Sequence, residues 1–296
     1  MKKLLFSQRS DRAHWVGDGF PVRSIFSYSG MTKEVSPFLL MDYAGPAEFP
    51  ANASPQRRGV GEHPHRGFET VTIVYSGEVE HRDSSGGGGV IGPGDIQWMT
   101  AASGLVHEER HGKEFSKTGG RFEMVQLWVN LPAKDKMSKP RYQGIRNADV
   151  PKVDFPDGGG SLRVIAGEFA GQKGPAKTFT PLHLWDVRLN SGHTAELKMP
   201  TGHTTMVFVL SGQVRLASGE TIGDAEIAVL SRDEEDFTLQ ATSDAKILIL
   251  GGEPINEPVV GYGPFVMNSS AEIQQAFMDF NSGKMGTISG IEGSQV

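Results

Sequence analysis

The chain has 296 residues, of which 38% are hydrophobic and 22% charged, with a formal net charge of −6 at pH 7. This balance is typical of a globular protein of one large or two ordinary domains, and it excludes the basic surface that nucleic acids and acidic membranes attract. Cysteine is absent, which excludes disulfides, thiolate ligands and a cysteine nucleophile. The opening MKKLLFSQRSDR lacks the apolar stretch of roughly 7–15 residues that a signal peptide needs, so we expect a cytoplasmic protein.

Glycine is frequent and lies between short apolar runs. The chain has 38 glycines, about 13% against an average near 7%. They separate short runs of Val, Ile, Phe and Thr, a pattern that predicts many strands joined by tight turns and therefore an all-β fold. The tract SSGGGG at 84–89 is interpreted as a turn between strands, because a phosphate loop would end in Gly-Lys-Ser/Thr and open a helix.

The first cluster of metal-capable residues is GEHPHRGFETVTIVYSG at 61–77. Residues of equal parity in a strand point to one face. His63, His65 and Glu69 therefore share a face if the strand continues without a bulge at Gly67, and Arg66 points to the other face.

A second cluster, SGLVHEERH, follows at 103–111. His107 and Glu109 share parity there, while Arg110 points away. Together the clusters predict three imidazoles and a carboxylate around one point, a donor set suited to a divalent first-row metal with positions left open for catalysis. An isolated His-x-His is more often a surface or core feature, but two parity-consistent clusters favour a metal site. Parity alone leaves open whether Glu69 or Glu109 is the carboxylate.

The two halves of the chain contain a repeat. ETVTIVYSGEVEHR at 69–82 matches TTMVFVLSGQVRLA at 204–217, and VIGPGDIQWMT at 90–100 matches TIGDAEIAVLS at 221–231. Such matches at nearly constant spacing indicate duplication. We therefore predict a metal-binding domain over 1–135, a linker over 136–160 that is rich in Pro, Lys and Asp, and a second β-domain over 161–296.

The second half serves as an internal control for the metal site. Aligned on Ser-Gly, the positions of the first two histidines and the following glutamate become Lys198, Pro200 and Thr204, and no histidine follows His203. Only the first half can therefore hold a three-histidine site. His203 is predicted to be a non-ligand. Ordinary polar roles are predicted for the remaining histidines, which are His14, His81, His111, His183 and His193.

A helix is predicted near the end of the chain. Ser269 and Glu272 have the spacing of a capping box. Ile273, Phe277 and Phe280 recur at i, i+4 and i+7, so one helix face is expected to pack against a β-domain.

Four longer motifs carry a resemblance to a known family. HPHRGFETV at 63–71, PGDIQWMTAASGLVHEE at 93–109, LWVNLP at 127–132 and GEPINEPVVGYGPFVMN at 252–268 resemble pirins, members of the cupin superfamily. The resemblance extends from about Gly19 to Phe280. It implies two tandem cupin barrels of the jelly-roll type, with one metal in the N-terminal barrel and a degenerate C-terminal barrel.

The resemblance also implies a ligand set and an activity. The ligands would be His63, His65, His107 and Glu109, with Glu69 as a supporting residue. Iron as Fe(II) is the expected metal, and nickel, manganese, copper, cobalt and zinc are alternatives. Pirins that resemble quercetin 2,3-dioxygenases imply oxygen-dependent cleavage of a flavonol, with Glu109 also accepting the substrate proton. We expect the protein to be a monomer.

Two other functions are alternatives. Other pirins imply a non-catalytic, redox-sensing regulator that binds a transcription factor or metabolic enzyme as its protein partner, without binding nucleic acid directly. A cupin-type sugar-phosphate isomerase would need several cations beside the metal, and only Arg66 and Arg110 are adjacent in sequence.

Overall fold

A computed structural model describes residues 1–52, 54 and 56–288, and most of this part of the chain is in β-strands. Among these residues, no helix combines the length and the apolar composition that a membrane span needs. The chain forms two compact units. The histidine unit comprises Ala13–Arg23, Met41–Asn147 and the described residues from Asn256 onward, and the apolar unit comprises Met1–Arg12, Ser24–Leu40 and Ala148–Ile255.

The strands of the first part of the chain are, in order, β1 (Leu4–Arg9), β2 (Ala13–Val16), β3 (Phe20–Ser27), β4 (Phe38–Phe49), β5 (Gly59–His65), β6 (Phe68–Ser76), β7 (Val79–Asp83), β8 (Gly88–Ile91), β9 (Ile96–Thr100), β10 (Leu105–His111) and β11 (Gly120–Asn130). The later strands are β12 (Arg141–Ile145), β13 (Lys152–Asp154), β14 (Gly160–Ala166), β15 (Glu168–Phe169), β16 (Gln172–Lys173), β17 (Leu182–Leu189), β18 (Thr194–Lys198), β19 (Thr204–Ser211), β20 (Val214–Leu216), β21 (Thr221–Ile222), β22 (Glu226–Leu230), β23 (Asp236–Ala241), β24 (Ala245–Gly252), β25 (Val260–Tyr262) and β26 (Phe265–Met267). The α-helices are α1 (Tyr28–Val35), α2 (Lys113–Thr118) and α3 (Ser270–Asn281), and short 3-10 turns lie at Ala133–Asp135, Asn147–Asp149 and Pro156–Gly158.

Two sheets carry most of the histidine unit. The larger has the strand order β12-β9-β6-β11-β4-β3-β2, and the smaller has the order β5-β10-β7-β8. The smaller sheet pairs β10 antiparallel with β5 on one side and with β7 on the other. Since β5 and β10 carry the two predicted histidine clusters, this sheet brings them side by side.

The apolar unit repeats this arrangement. Its larger sheet has the order β1-β22-β19-β24-β17-β14-β13, and its smaller sheet has the order β18-β23-β20-β21. The central series β22-β19-β24-β17 corresponds to β9-β6-β11-β4 of the histidine unit. The repeated segments 69–82 and 204–217 form β6–β7 and β19–β20 respectively. The matching strand orders support the duplication inferred from the sequence.

Apolar side chains fill the interior of the apolar unit and leave no room there for a histidine cluster. On β18, buried Ala195 and Leu197 alternate with exposed residues, as expected for a strand with one face in a core. They pack with Phe237 and Leu239 of β23 in one continuous apolar cluster. Hydrocarbon side chains therefore fill this interior, where the other unit places polar residues.

The compact units differ from the predicted domain ranges in several segments, one of which is Ser24–Leu40 of the apolar unit. Residues 136–147, predicted as linker, contain β12, which pairs with β9 of the histidine unit. The described residues from Asn256 onward also belong to the histidine unit, whereas Met1–Arg12 belongs to the apolar unit because β1 pairs with β22. The physical reason is that an edge strand can be completed by any segment that reaches it, and local composition does not identify that segment.

Helix α3 forms with its predicted cap. The Ser269 hydroxyl oxygen accepts a hydrogen bond from the Glu272 amide (3.3 Å), and the Ser269 hydroxyl donates to the Glu272 carboxylate (2.8 Å). Ile273 is buried, but Phe280 is 37% exposed, so the prediction that Phe280 lies on the packed face was wrong. The helix packs in a cluster that includes Val106 of β10 and Phe265 and Met267 of β26, all of which belong to the histidine unit.

Candidate metal centre

Strand register places the predicted ligands next to one another. His107 of β10 lies directly opposite His63 of β5, and Leu105 lies opposite His65. On its other side β10 pairs with β7, where Glu109 lies opposite His81. Directly opposed residues of antiparallel strands have neighbouring side chains. The register therefore converts two sequence clusters into one spatial group.

The three predicted histidine ligands meet. One ring nitrogen from each of His63, His65 and His107 lies within 4.8 Å of the others. The ring centroids are 4.2 Å apart for His63 and His107 and 4.8 Å apart for His65 and His107. His107 is fully buried and His65 is nearly so, while His63 is half-buried and forms the more open side of the group.

The protonation of these rings suits metal binding. Burial, together with the neighbouring His63, lowers the pKa of His65 to about 3. Burial, together with the neighbouring His63, His65 and His81, also lowers the pKa of His107 well below its usual value. Both rings are therefore neutral at pH 7. Neutral imidazole is the form that donates a lone pair to a metal.

Backbone carbonyls select the nitrogen that remains free on two of these rings. His63 Nδ1 lies 2.8 Å from the Gly61 carbonyl oxygen, and His65 Nδ1 lies 3.2 Å from the Pro264 carbonyl oxygen. A carbonyl only accepts, so each Nδ1 carries the hydrogen and each Nε2 keeps its lone pair. Buried His107 Nε2 has no hydrogen-bond partner among the described residues. An orphaned buried nitrogen beside two basic nitrogens fits a bound metal ion.

Glu109 lies beside His107, in a second group of clustered donor atoms that also includes His81. Its Oε2 accepts a hydrogen bond from Gln126 (2.9 Å), and its Oε1 accepts from Gln97 (3.2 Å) and Thr72 (3.3 Å). The structure therefore joins Glu109 to His107, but it does not place Glu109 in the group of His63 and His65. The four-ligand set remains a prediction.

Glu69 lies away from both groups. It belongs to β6 of the larger sheet, because the chain turns at Gly67, whose φ of +91° ends the extended strand after His65. The Glu69 carboxylate accepts a hydrogen bond from Thr100 (2.6 Å) and lies 3.8 Å from Arg141. Parity placed Glu69 on the face of the histidines only for a strand without a bulge at Gly67, and the turn at Gly67 removes that condition.

His81 was assigned an ordinary polar role from the sequence, yet it contacts the centre. It is fully buried on β7, and its Nδ1 lies 3.4 Å from His107 Nδ1. The signal available in the sequence was the spacing of His81 and Asp83, two polar residues of equal parity in the strand after Ser-Gly. Its significance depends on the pairing of β7 with β10, which the sequence pattern alone did not show.

The other histidines lie outside these groups. His111 donates from Nε2 to the Gly19 carbonyl oxygen (2.8 Å) and packs within 4.7 Å of the Phe49 ring, as a core histidine. His203 lies 5.9 Å from His183, measured between ring centroids, in the apolar unit. Within the described ranges, every group of three donors at metal-binding distance belongs to the histidine unit.

The two nearby arginines are engaged by carboxylates. Arg66 is buried and forms an ion pair with Asp279 at 2.9 Å, and Arg110 lies 3.0 Å from Glu108. Neither cation is thereby left to bind a phosphate group, which argues against a sugar-phosphate substrate.

Comparison with known proteins gives a family match in each half of the chain. The Pirin family model matches residues 19–129, and the model of the pirin C-terminal cupin domain matches residues 184–286. A Pseudomonas aeruginosa protein named "Putative quercetin 2,3-dioxygenase" is 57% identical over 284 residues, 96% of this chain and 98% of that protein. Human pirin is 37% identical over 86% of this chain and 84% of its own length.

A solved structure agrees with these relatives. The crystal structure of a quercetin 2,3-dioxygenase from Acinetobacter baumannii is 53% identical in sequence and superposes with a TM-score of 0.94, covering 97% of this chain and 99% of that one. The predicted resemblance is confirmed: this chain is a member of the pirin family.

Proposed function

We propose that the protein is a metal-dependent dioxygenase that cleaves a flavonol such as quercetin. The observation that carries the proposal is the group of three histidines, one of which, His107, also lies in a group with the hydrogen-bonded carboxylate of Glu109. The names of the relatives at 57% and 53% identity support this substrate class. We further propose that the two units are tandem cupin barrels and that the first holds the metal.

The proposed ligands are His63, His65, His107 and Glu109. Imidazole and carboxylate donors without thiolate suit a divalent first-row metal, and we propose Fe(II). When bound, such a metal supplies Lewis acidity and one-electron chemistry. Four protein ligands would leave positions open in an octahedral coordination shell.

The residues of the chain would orient the substrate and accept its proton. Glu109 is held by Gln97 and Gln126, so its carboxylate keeps one direction and can take the hydroxyl proton of the flavonol at Oε2. The Trp128 ring stacks on Phe68 with centroids 4.2 Å apart and lies 5.2 Å from the His65 ring. Half-buried Trp128 thus provides an aromatic surface beside the centre against which a planar ring system can pack.

Oxygen uptake tests the activity. Protein purified without oxygen and loaded with ferrous iron should consume oxygen when quercetin is added. Glu109→Gln keeps the size and an oxygen donor but loses the negative charge, so turnover should fall roughly 100-fold or more while part of the metal is retained. A fully loaded wild-type protein that consumes no oxygen with any flavonol would favour the redox-sensing regulator instead.

Metal content tests the site separately from the activity. His65→Ala removes one proposed donor and should release most of the metal, whereas His203→Ala should retain it because His203 lies in the other unit. Equal metal content in these two variants would contradict the ligand assignment whatever the activity.

A further inference from the structure

A buried polar network lies behind His107, on the side away from its free nitrogen. His81, Asp83 and Gln97 are all completely buried. His81 Nε2 lies 3.1 Å from Asp83 Oδ2, and its Nδ1 lies 3.2 Å from Gln97 Nε2 and 3.4 Å from His107 Nδ1. Most buried polar groups have a hydrogen-bond partner, so the direction of each bond in this network is informative.

The direction of these bonds can be followed from Asp83. An ionised carboxylate only accepts, so His81 donates from Nε2. The Gln97 amide nitrogen faces His81 Nδ1 and also donates to Glu109 Oε1 (3.2 Å), which makes His81 Nδ1 an acceptor. His107 Nδ1 then has to be the donor in its contact with His81, so Gln97 and His107 share the one lone pair of His81 Nδ1. The lone pair of His107 is left on Nε2, the orphaned nitrogen of the centre.

We infer that Asp83, His81 and Gln97 are positioning residues that hold His107 in the tautomer able to bind a metal through Nε2. His81 is not itself a ligand, because both of its nitrogens are engaged. Gln97 connects the same network to Glu109, so a single amide supports two proposed ligands. The inference rests on the proposed metal site and assigns it an outer layer of hydrogen bonds, of the kind that orients ligands in metalloproteins.

The turn after β7 holds Asp83 in place. Asp83 Oδ1 accepts hydrogen bonds from the Ser85 amide (2.8 Å), the Ser85 hydroxyl (2.6 Å) and the Gly87 amide (3.0 Å). A Cβ at Gly87 would clash with Asp83 Oδ2, the oxygen that accepts the hydrogen bond from His81. The glycine tract therefore brings the backbone close to Asp83 and leaves that oxygen to His81.

Asp83→Asn tests the inference, because the turn after β7 fixes which way the side-chain amide of the asparagine is oriented. Two backbone amides and a hydroxyl donate to Oδ1, so the asparagine oxygen should stay there and its NH2 group should occupy the Oδ2 position. That group donates, which forces His81 to accept at Nε2 and to carry its hydrogen on Nδ1. His107 then has to accept from His81, and its hydrogen moves to Nε2, where it blocks metal binding.

Two measurements decide the inference. Long-range proton–nitrogen NMR of metal-free protein with 15N-labelled histidine should show hydrogen on Nδ1 of His107 in the wild type and on Nε2 in Asp83→Asn. Zn²⁺ affinity, measured by competition with a chromophoric chelator, should fall about 10–100-fold in the variant. The matched control is Asp95→Asn: Asp95 also accepts backbone amide hydrogen bonds, from Gly92 and Asn147, but is not part of this network, and its affinity should be unchanged.

Wild-type affinity in Asp83→Asn, or a wild-type His107 with its hydrogen on Nε2, would overturn the inference. The position of the His107 hydrogen is measured on the wild type, so it tests the inference even if Asp83→Asn does not fold. His65→Ala separates this inference from the proposed site. If His65→Ala loses Zn²⁺ while Asp83→Asn keeps it, the site stands and the positioning role fails. If His65→Ala keeps Zn²⁺, the proposed site itself fails.

Discussion

Glu69 shows at the residue scale how a carboxylate close in sequence to two histidines can have a different environment. It is 1% exposed, and its carboxylate bonds to Thr100 of the neighbouring strand β9. Burial, partly offset by the hydrogen bond from Thr100, raises the pKa of Glu69 to about 7 from an ordinary value of 4.5. The folded protein therefore holds this proton more tightly than the unfolded chain does.

This shift predicts a pH dependence of stability. Because the folded-state pKa is the higher one, the Glu69 contribution is fully present below pH 4.5 and is lost as pH rises through 7. Glu69→Gln imitates the protonated form. It should match the wild type near pH 4.5 and exceed it at pH 8, by up to about 3 kcal/mol in the free energy of unfolding. Denaturant unfolding at both pH values measures this. A variant that is less stable than the wild type at pH 8 would contradict the argument.

At the element scale, helix α3 stabilises the segment that carries His65. Asp279, on the buried face of the helix, pairs with Arg66, which immediately follows His65 and also donates to the Ser103 carbonyl oxygen (2.7 Å). The Pro264 carbonyl, just before β26, accepts from the His65 ring. The last described elements of the chain therefore help to orient a proposed ligand that precedes them by some 200 residues.

Asp279→Asn tests this coupling. The substitution keeps the size of the side chain but leaves the buried Arg66 guanidinium without its charge partner, which is unfavourable. We expect a lower melting temperature and weaker Zn²⁺ binding. Gln274→Ala, on the exposed face of the same helix, is the control and should change stability by no more than about 0.5 kcal/mol. If both variants bind and melt alike, the helix has no influence on the centre.

At the scale of the whole molecule, each unit is completed by a segment from the far end of the chain. Residues 1–12 complete a sheet of the apolar unit through β1, whereas the described residues from Asn256 onward join the histidine unit. Lys2 contributes to the first of these contacts by donating from Nζ to the Ser231 carbonyl oxygen. At both ends of the chain, a segment therefore belongs to a different unit from the residues that lie nearest to it in sequence.

Two truncations should differ in their effect on Zn²⁺ binding. Removing residues 1–12 uncovers the edge of β22 and the packing of Leu4, so melting should fall by roughly 5 °C or more while Zn²⁺ binding at low temperature is retained. Truncation after Met267 removes α3 and Asp279, so Zn²⁺ binding should weaken as well. Calorimetry and metal titration measure the two effects. Loss of Zn²⁺ binding on removal of residues 1–12 would contradict the assignment of segments to units.

The sequence by itself determined the features that depend on near neighbours. Strand content follows from alternation and glycine spacing, and the cap of α3 follows from Ser269 and Glu272. The absence of histidine after His203 restricts the three-histidine group to the first half of the chain. The association of His63, His65 and His107 was also predictable, because two clusters of matching parity in one β-domain favour a shared metal site.

Tertiary structure alone decided which other groups stand beside those histidines. Gly67 separates Glu69 from the strand of His65, while the register between β7 and β10 brings His81 against His107. The destination of α3 was likewise decided by its contact with Val106. The physical reason is that periodicity specifies the face on which a side chain lies, whereas its neighbours depend on pairing between strands that are distant in sequence.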